Sequence, residues 1–237
     1  MVKTNLARLA APPALTSWLT ERTRDDLRAH SVTVDLDWWN SALAKRGFKA
    51  TVVGTSPPTG GIVESGRAEI SRGQLADMAT GASRDAASAL TLMWHSLAWG
   101  AGTSPRNMNR RLDSISAGGG DVASALVRAA QLSSQDPRGA YETLRPGGRN
   151  LVKFLGPAFF TKYLYFAGQG DADHPCAILD ARVATSLHQN GWKSLHAGGA
   201  WPTYTYGRYV ELLQRWAADA PAGRSVGIDE IEFWLFK

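Results

Sequence analysis

Residues 154–170 read FLGPAFFTKYLYFAGQG, and Lys162 is the one charge among four Phe, two Tyr and two Leu. A buried lysine is costly unless it is paired, reaches water along its stem, or loses its proton. Gly156 and Pro157 predict a tight turn followed by a helix whose first residue is preset by the proline ring, which puts Lys162 in the second turn near the positive end. At about 100° per residue, Thr161, Lys162 and Tyr165 share one arc, and Phe159, Phe160, Tyr163, Leu164 and Phe166 occupy the rest. Two readings follow. The polar arc faces water and the lysine stem carries its charge out to it, or the apolar neighbours and the helix N-terminus disfavour the ammonium and leave a nucleophilic amine.

Asp180 stands eighteen positions on, after the apolar run CAIL and before the helical pattern ARVATSLHQ. It needs no role beyond capping that helix, yet a cap also keeps its carboxylate ionised and aimed. The surrounding chain reads as helix pairs joined by short turns. Ser83 is expected to cap a helix to about Trp99. Ser104 and Pro105 are expected to open a second, ending in a loop at Gly118, Gly119 and Gly120, with Asp121 capping a third to about Leu132. Asp136 and Pro137 start a fourth, and IDEIEFWLF closes the chain as helix or strand. The first eighty residues are mixed, with helical patterns near 14–29 and 36–47. The Pro and Gly density of TSPPTGGIVESGRAE argues against regular structure there. The expected organisation is an N-terminal mixed region, 1–82, and a mainly α core, 83–237.

Composition bounds the rest. With 237 residues, 44% apolar and 20% charged, the chain can bury a substantial core. A net charge of +5 and nine Trp suit a polyanionic partner, although basic proteins without one are common. The single Cys176 excludes an internal disulfide and a cysteine-built zinc site. The opening MVKTNLARLAAPPALTSW is interrupted by Arg8 and two prolines before a signal-length apolar run develops, so a cytoplasmic, membrane-free monomer is expected. His95, His174, His188 and His196 lack metal-ligand spacing, and no metal or cofactor is expected.

LGPAFFTK followed after a gap by AILDARVA resembles the signature of the helix-hairpin-helix DNA glycosylases, most closely the 8-oxoguanine branch and its small bacterial relatives. The resemblance covers roughly residues 84–216 and is strongest over 149–187. It implies a mainly α helix-hairpin-helix glycosylase fold with a small mixed N-terminal region, DNA as partner, and excision of a base from DNA. It also implies that Lys162 is the nucleophilic lysine, Asp180 the essential aspartate, and Arg182 a phosphate contact. The chain departs from the family in the hairpin, where Phe159 and Phe160 occupy the region of a second glycine and leave Gly156 alone.

The chemistry fits these residue types. Breaking an N-glycosidic bond builds positive charge on the sugar, which a carboxylate stabilises, and an amine beside C1′ can form a Schiff base that permits strand cleavage. The segment WGAGTSPRNMNRR resembles the loop that the superfamily drives into DNA. Gly100 and Gly102 are read as allowing close backbone approach, and Arg106, Asn107, Arg110 and Arg111 as meeting phosphates or the orphaned base. Without the lysine motif, the same segment is a helix connection with a solvated basic face. Arg145, Arg149, Lys153, Arg182 and Lys193 could extend a phosphate track. Trp38, Trp39, Trp201, Tyr204 and Tyr206 are candidates for stacking an extruded base, or for core packing. The substrate is either an oxidised purine or a bulky modified base of phage DNA, the second making the protein a defence enzyme. The competing class is a DNA-binding module without catalysis.

Overall fold

The computed structural model describes residues 5–220 and 223–237; residues 1–4, the beginning of the stretch read for a signal segment, lie outside them. Helices α1 (Pro13–Glu21) and α2 (Arg24–Ala29) precede strand β1 (Ser31–Asp35) and helix α3 (Leu36–Ala44). Strands β2 (Gly54–Thr55), β3 (Ile62–Val63) and β4 (Arg67–Ser71) complete an antiparallel sheet in the order β1-β4-β2-β3, and α4 (Arg72–Met78) follows. The expectation of no regular structure over 55–69 is therefore corrected. Ser31 pairs with Ser71 and Asp35 with Arg67, and this register buries Val34, Ala68 and Ile70 on one face. That burial and the paired backbone outweigh the local Pro and Gly signal.

The mainly α fold follows from residue 86 on. Helix α5 (Ala86–Ala101) is buried without a break from Leu92 to Trp99, as expected of a helix packed on all sides. Asp85, not Ser83, caps it, accepting from Ser88 N at 2.8 Å. The span α6 (Met108–Ser133) is two helices joined at a kink where the glycine loop is expected, with Gly119 non-helical at φ 47° and ψ −130°, and Asp121 stands two residues past the kink in the first turn of the second. The span begins three residues after Pro105, with Asn107 left-handed at φ 61°. Helices α7 (Pro137–Leu144), α8 (Pro157–Phe166), α9 (Ala181–Gln189), α10 (Thr203–Ala218) and α11 (Ile228–Phe236) complete the chain. One hydrophobic cluster joins the sheet region to the helices, reaching from Leu6 and Val34 through Trp94 and Phe160 to Leu235. Among the described residues no helix is long and apolar enough to cross a membrane.

The closing segment is helix, and its three acids are buried. Each is paired with an arginine: Asp229 with Arg24 and Glu232 with Arg72, both from distant segments, and Glu230 with Arg224 from the loop just before the helix. The pair of Arg72 and Glu232 is the most enclosed. Arg72 Nη1 and Nη2 donate to Glu232 Oε2 and Oε1 at 2.7 and 3.2 Å. The guanidinium carbon also lies 5.3 Å from the ring centres of Trp99 and Tyr165 and 5.1 Å from that of Phe233. Burial pushes the Glu232 carboxyl up against the pull of Arg72, while the guanidinium stays charged at any working pH. These contacts tie α11 to α4 and α8.

Candidate active site

The lysine and the aspartate meet. Lys162 Nζ donates to Asp180 Oδ2 at 3.0 Å and to the Ala158 carbonyl one turn back at 2.8 Å. Asp180 caps α9 as its sequence position predicts: Oδ1 accepts from Arg182 N at 3.0 Å and Val183 N at 3.2 Å, leaving Oδ2 for the amine. Burial alone would raise the Asp180 carboxyl, but the Lys162 charge and hydrogen bond, with the Val183 and Arg182 N–H groups, hold it below the usual carboxylate range.

Neighbouring residues set this distance. Thr161 Oγ1 donates to Pro157 O at 2.7 Å and accepts from Leu179 N at 3.1 Å, so the residues immediately before Lys162 and Asp180 are fastened together. The extended run 176–179 has carbonyls that no helix or strand satisfies, and burial makes an unpaired carbonyl costly. Tyr206 and Tyr209, from α10, donate to Ala177 O at 3.1 Å and Ile178 O at 2.6 Å. Tyr206 thus serves the segment that presents Asp180 and is stacked on Tyr141 at 4.5 Å, fully buried, instead of lining a base pocket.

Of the two readings of the α8 polar arc, the one in which it faces water does not hold. Thr161, Lys162 and Tyr165 are all buried. The lysine and aspartate side chains keep only 7% and 14% exposure, so a sugar can reach them only if part of their cover moves. Gly100 makes room for the lysine stem. A Cβ there would lie 3.0 Å from Lys162 Cδ, 3.3 Å from Cε and 3.5 Å from a Phe159 ring carbon. Gly102 ends α5 at φ +60° and faces Val32 of β1. Gly100 therefore serves close packing against the lysine stem, and Gly102 a left-handed turn that a side chain would strain; both are half-buried. Gly100→Ala should gain helix propensity of about 1 kcal/mol yet push the amine off Asp180. The expected result is a nearly unchanged unfolding midpoint with lysine-dependent chemistry slowed roughly tenfold or more; an unchanged rate would show that the stem has slack.

The remaining predicted residues divide by exposure. Arg106, Asn107, Arg110, Arg149, Arg182, Lys153 and Lys193 are exposed, and Gly156 forms the N-cap of α8 with only an ordinary contact to Asn150. Arg145 is buried and bonded to Asn150 Oδ1 through Nη1, which makes it a brace of the hairpin and removes it from the expected phosphate track. Trp39 and Trp201 are core residues, the second donating to His196 O at 3.0 Å; Trp38 is half-buried edge-on to Trp39. Tyr204 is 66% exposed, but it lines a cleft of about 410 Å³ with Arg138 and Arg215, apart from the lysine. The five stacking candidates are therefore not brought together around Lys162 and Asp180.

Sequence reasoning passed over Trp99, whose ring centre is 6.0 Å from Lys162 Nζ, and Phe159 beside Gly100. Their signal was adjacency, since Trp99 directly precedes that glycine. A cleft of about 450 Å³ opens on the residue after Asp180, lined by Ala181, Arg182, Gln189, Phe236 and Lys237 among others. Its size is in the range of small-molecule sites. Cys176 is buried, and burial pushes its thiol up to about 12, which leaves it inert.

A family model described as "Putative 8-oxoguanine DNA glycosylase OGG-like protein" matches residues 25–236, spanning both the sheet region and the helical core. No curated protein and no solved structure matches the chain.

Proposed function

As this chain belongs to the OGG-like 8-oxoguanine DNA glycosylase family, we propose that it excises a damaged base from DNA, with Asp180 as electrostatic stabiliser and Lys162 as the amine that captures the sugar. The observation that carries this reading is the 3.0 Å pair between Lys162 Nζ and Asp180 Oδ2, formed by the two residues the motif singles out.

The glycosidic bond breaks with its electron pair going to the base, and positive charge develops on the deoxyribose. A carboxylate ionised by its pairing and by two backbone N–H groups stabilises that charge more than the neutral ground state. For the covalent route, Lys162 first gives up a proton. Asp180 is held too acidic to keep it, so the departing base is the better acceptor. The nitrogen lone pair then bonds C1′ as the base leaves; the new ammonium passes a proton to O4′, the C1′–O4′ bond breaks with its pair going to O4′, and the freed nitrogen lone pair closes the C1′=N Schiff base. Loss of a C2′ proton from that species expels the 3′ phosphate. Where water takes the place of the amine at C1′, the product is an abasic sugar and Lys162 acts by holding Asp180.

C1′ is unreachable inside a duplex, and the pair is nearly covered, so the nucleotide must be extruded and the cover displaced. The substrate class we favour is an oxidised purine, because the family description names 8-oxoguanine. Duplexes carrying 8-oxoguanine, or a bulky modified pyrimidine as used by phages, distinguish repair from defence when abasic sites are scored with alkali. Release from neither would overturn the glycosylase reading in favour of DNA binding without catalysis.

Borohydride treatment during reaction tests the amine. The wild type is expected to trap a covalent DNA adduct, and Lys162→Ala is expected to lose it completely. Base release without any wild-type adduct would assign the attack to water, and an adduct that survives the substitution would remove Lys162 as nucleophile.

A further inference from the structure

The turn ahead of α8 turns an aromatic ring to solvent. Phe154 is 45% exposed and its φ is +68°, a left-handed backbone that a non-glycine residue rarely adopts and that persists only where its surroundings over-determine it. Arg111 supplies part of that constraint, its Nε donating to the Phe154 carbonyl at 2.9 Å. Two further cations flank the ring itself, Lys153 Nζ at 5.2 Å and the Arg110 guanidinium carbon at 5.8 Å from its centre. An exposed ring with cations at its margin is poorly matched to water and well matched to nucleic acid, where bases or sugars take the ring and phosphates take the cations.

This surface is mechanically continuous with the lysine. The Arg111 guanidinium that fixes the Phe154 carbonyl also lies 4.2 Å over the centre of the Phe159 ring. Phe159 in turn backs Gly100, against which the Lys162 stem is packed. One arginine therefore links the exposed aromatic to the wall of the catalytic lysine. We infer that Phe154 is a wedge, entering the base stack beside the extruded nucleotide and packing on a base left without its neighbour, with Arg110 and Lys153 on the flanking phosphates. This rests on the glycosylase reading above.

The probe is a duplex with a tetrahydrofuran abasic analogue opposite 2-aminopurine, which needs no knowledge of the excised base. Wild-type protein is expected to change the 2-aminopurine fluorescence on binding and to prefer this duplex over an intact one. Phe154→Ala, a surface change, should keep the thermal midpoint and the affinity for intact duplex. It should lose the fluorescence change and weaken the abasic preference by about tenfold, and Phe154→Trp should restore both. A Phe154→Ala protein that perturbs 2-aminopurine as wild type does would overturn the wedge while leaving the glycosylase reading standing. An equal loss of affinity for both duplexes would also overturn it, reducing Phe154 to a general backbone contact. Wild-type protein indifferent to the abasic analogue would count against the glycosylase reading and take the wedge with it.

Discussion

Asp180→Asn is expected to slow base release by about a thousandfold under single-turnover conditions, the scale of removing one preorganised electrostatic stabiliser, while DNA affinity changes little. Asparagine is nearly isosteric and is itself a good N-cap, so Arg182 N and Val183 N keep an acceptor and α9 keeps its start. What disappears is the charge, and with it the differential stabilisation of the sugar cation. The variant also leaves the Lys162 ammonium buried opposite a neutral amide, which should lower the unfolding midpoint. A rate within tenfold of wild type would sink the proposed role of Asp180. The pH dependence follows from the direction of the carboxyl shift. The Asp180 carboxyl is depressed on folding. Its contribution to stability is therefore fully present above the unfolded aspartate value of about 3.9 and is lost as pH falls through the lower folded value. Wild type and Asp180→Asn should accordingly differ by a constant stability near neutrality and converge in acid, as urea melts across pH would read.

Glu232→Ala should give the largest loss of stability, about 3–5 kcal/mol. The substitution strands the Arg72 guanidinium with no counter-ion at a site where both side chains are essentially without solvent. The surrounding rings of Trp99, Tyr165 and Phe233 offer cation–π contact and the Tyr165 hydroxyl a neutral acceptor, but none of them replaces the lost charge. Replacing both partners by apolar residues, Arg72→Met with Glu232→Leu, should recover most of the loss, because a well-packed apolar pair avoids the desolvation that the ion pair only offsets. Urea unfolding measures each variant, and a Glu232→Ala midpoint close to wild type would show that the pair contributes nothing net.

Much of the site was legible before the structure. Pro157 and Asp180 mark helix starts by purely local rules, and the helices begin where those residues say. The lysine's solvent exposure was not legible, since its polar neighbours Thr161 and Tyr165 look like a wet face until Thr161 is found clamping Leu179 N and Tyr165 lies beside Arg72 and Asp229. The stacking candidates failed for a related reason. An aromatic in sequence carries no mark of whether its polar tip faces a ligand or a buried carbonyl, and Tyr206 serves Ala177 O. Strands β1 and β4 escaped notice because each is five residues long and is stabilised by a partner thirty or more positions away.

The sequence by itself determined the helical character of the chain, the cap at Asp180 and the turn before α8, because each depends on neighbours within a few positions. Only the tertiary structure decided that Lys162 is covered, that Gly100 yields to its stem, that Asp229 and Glu232 of α11 are held by the remote Arg24 and Arg72, and which aromatics remain outside. Those outcomes depend on which surfaces meet across the fold, and burial is a property of the pair of surfaces, not of either stretch of chain.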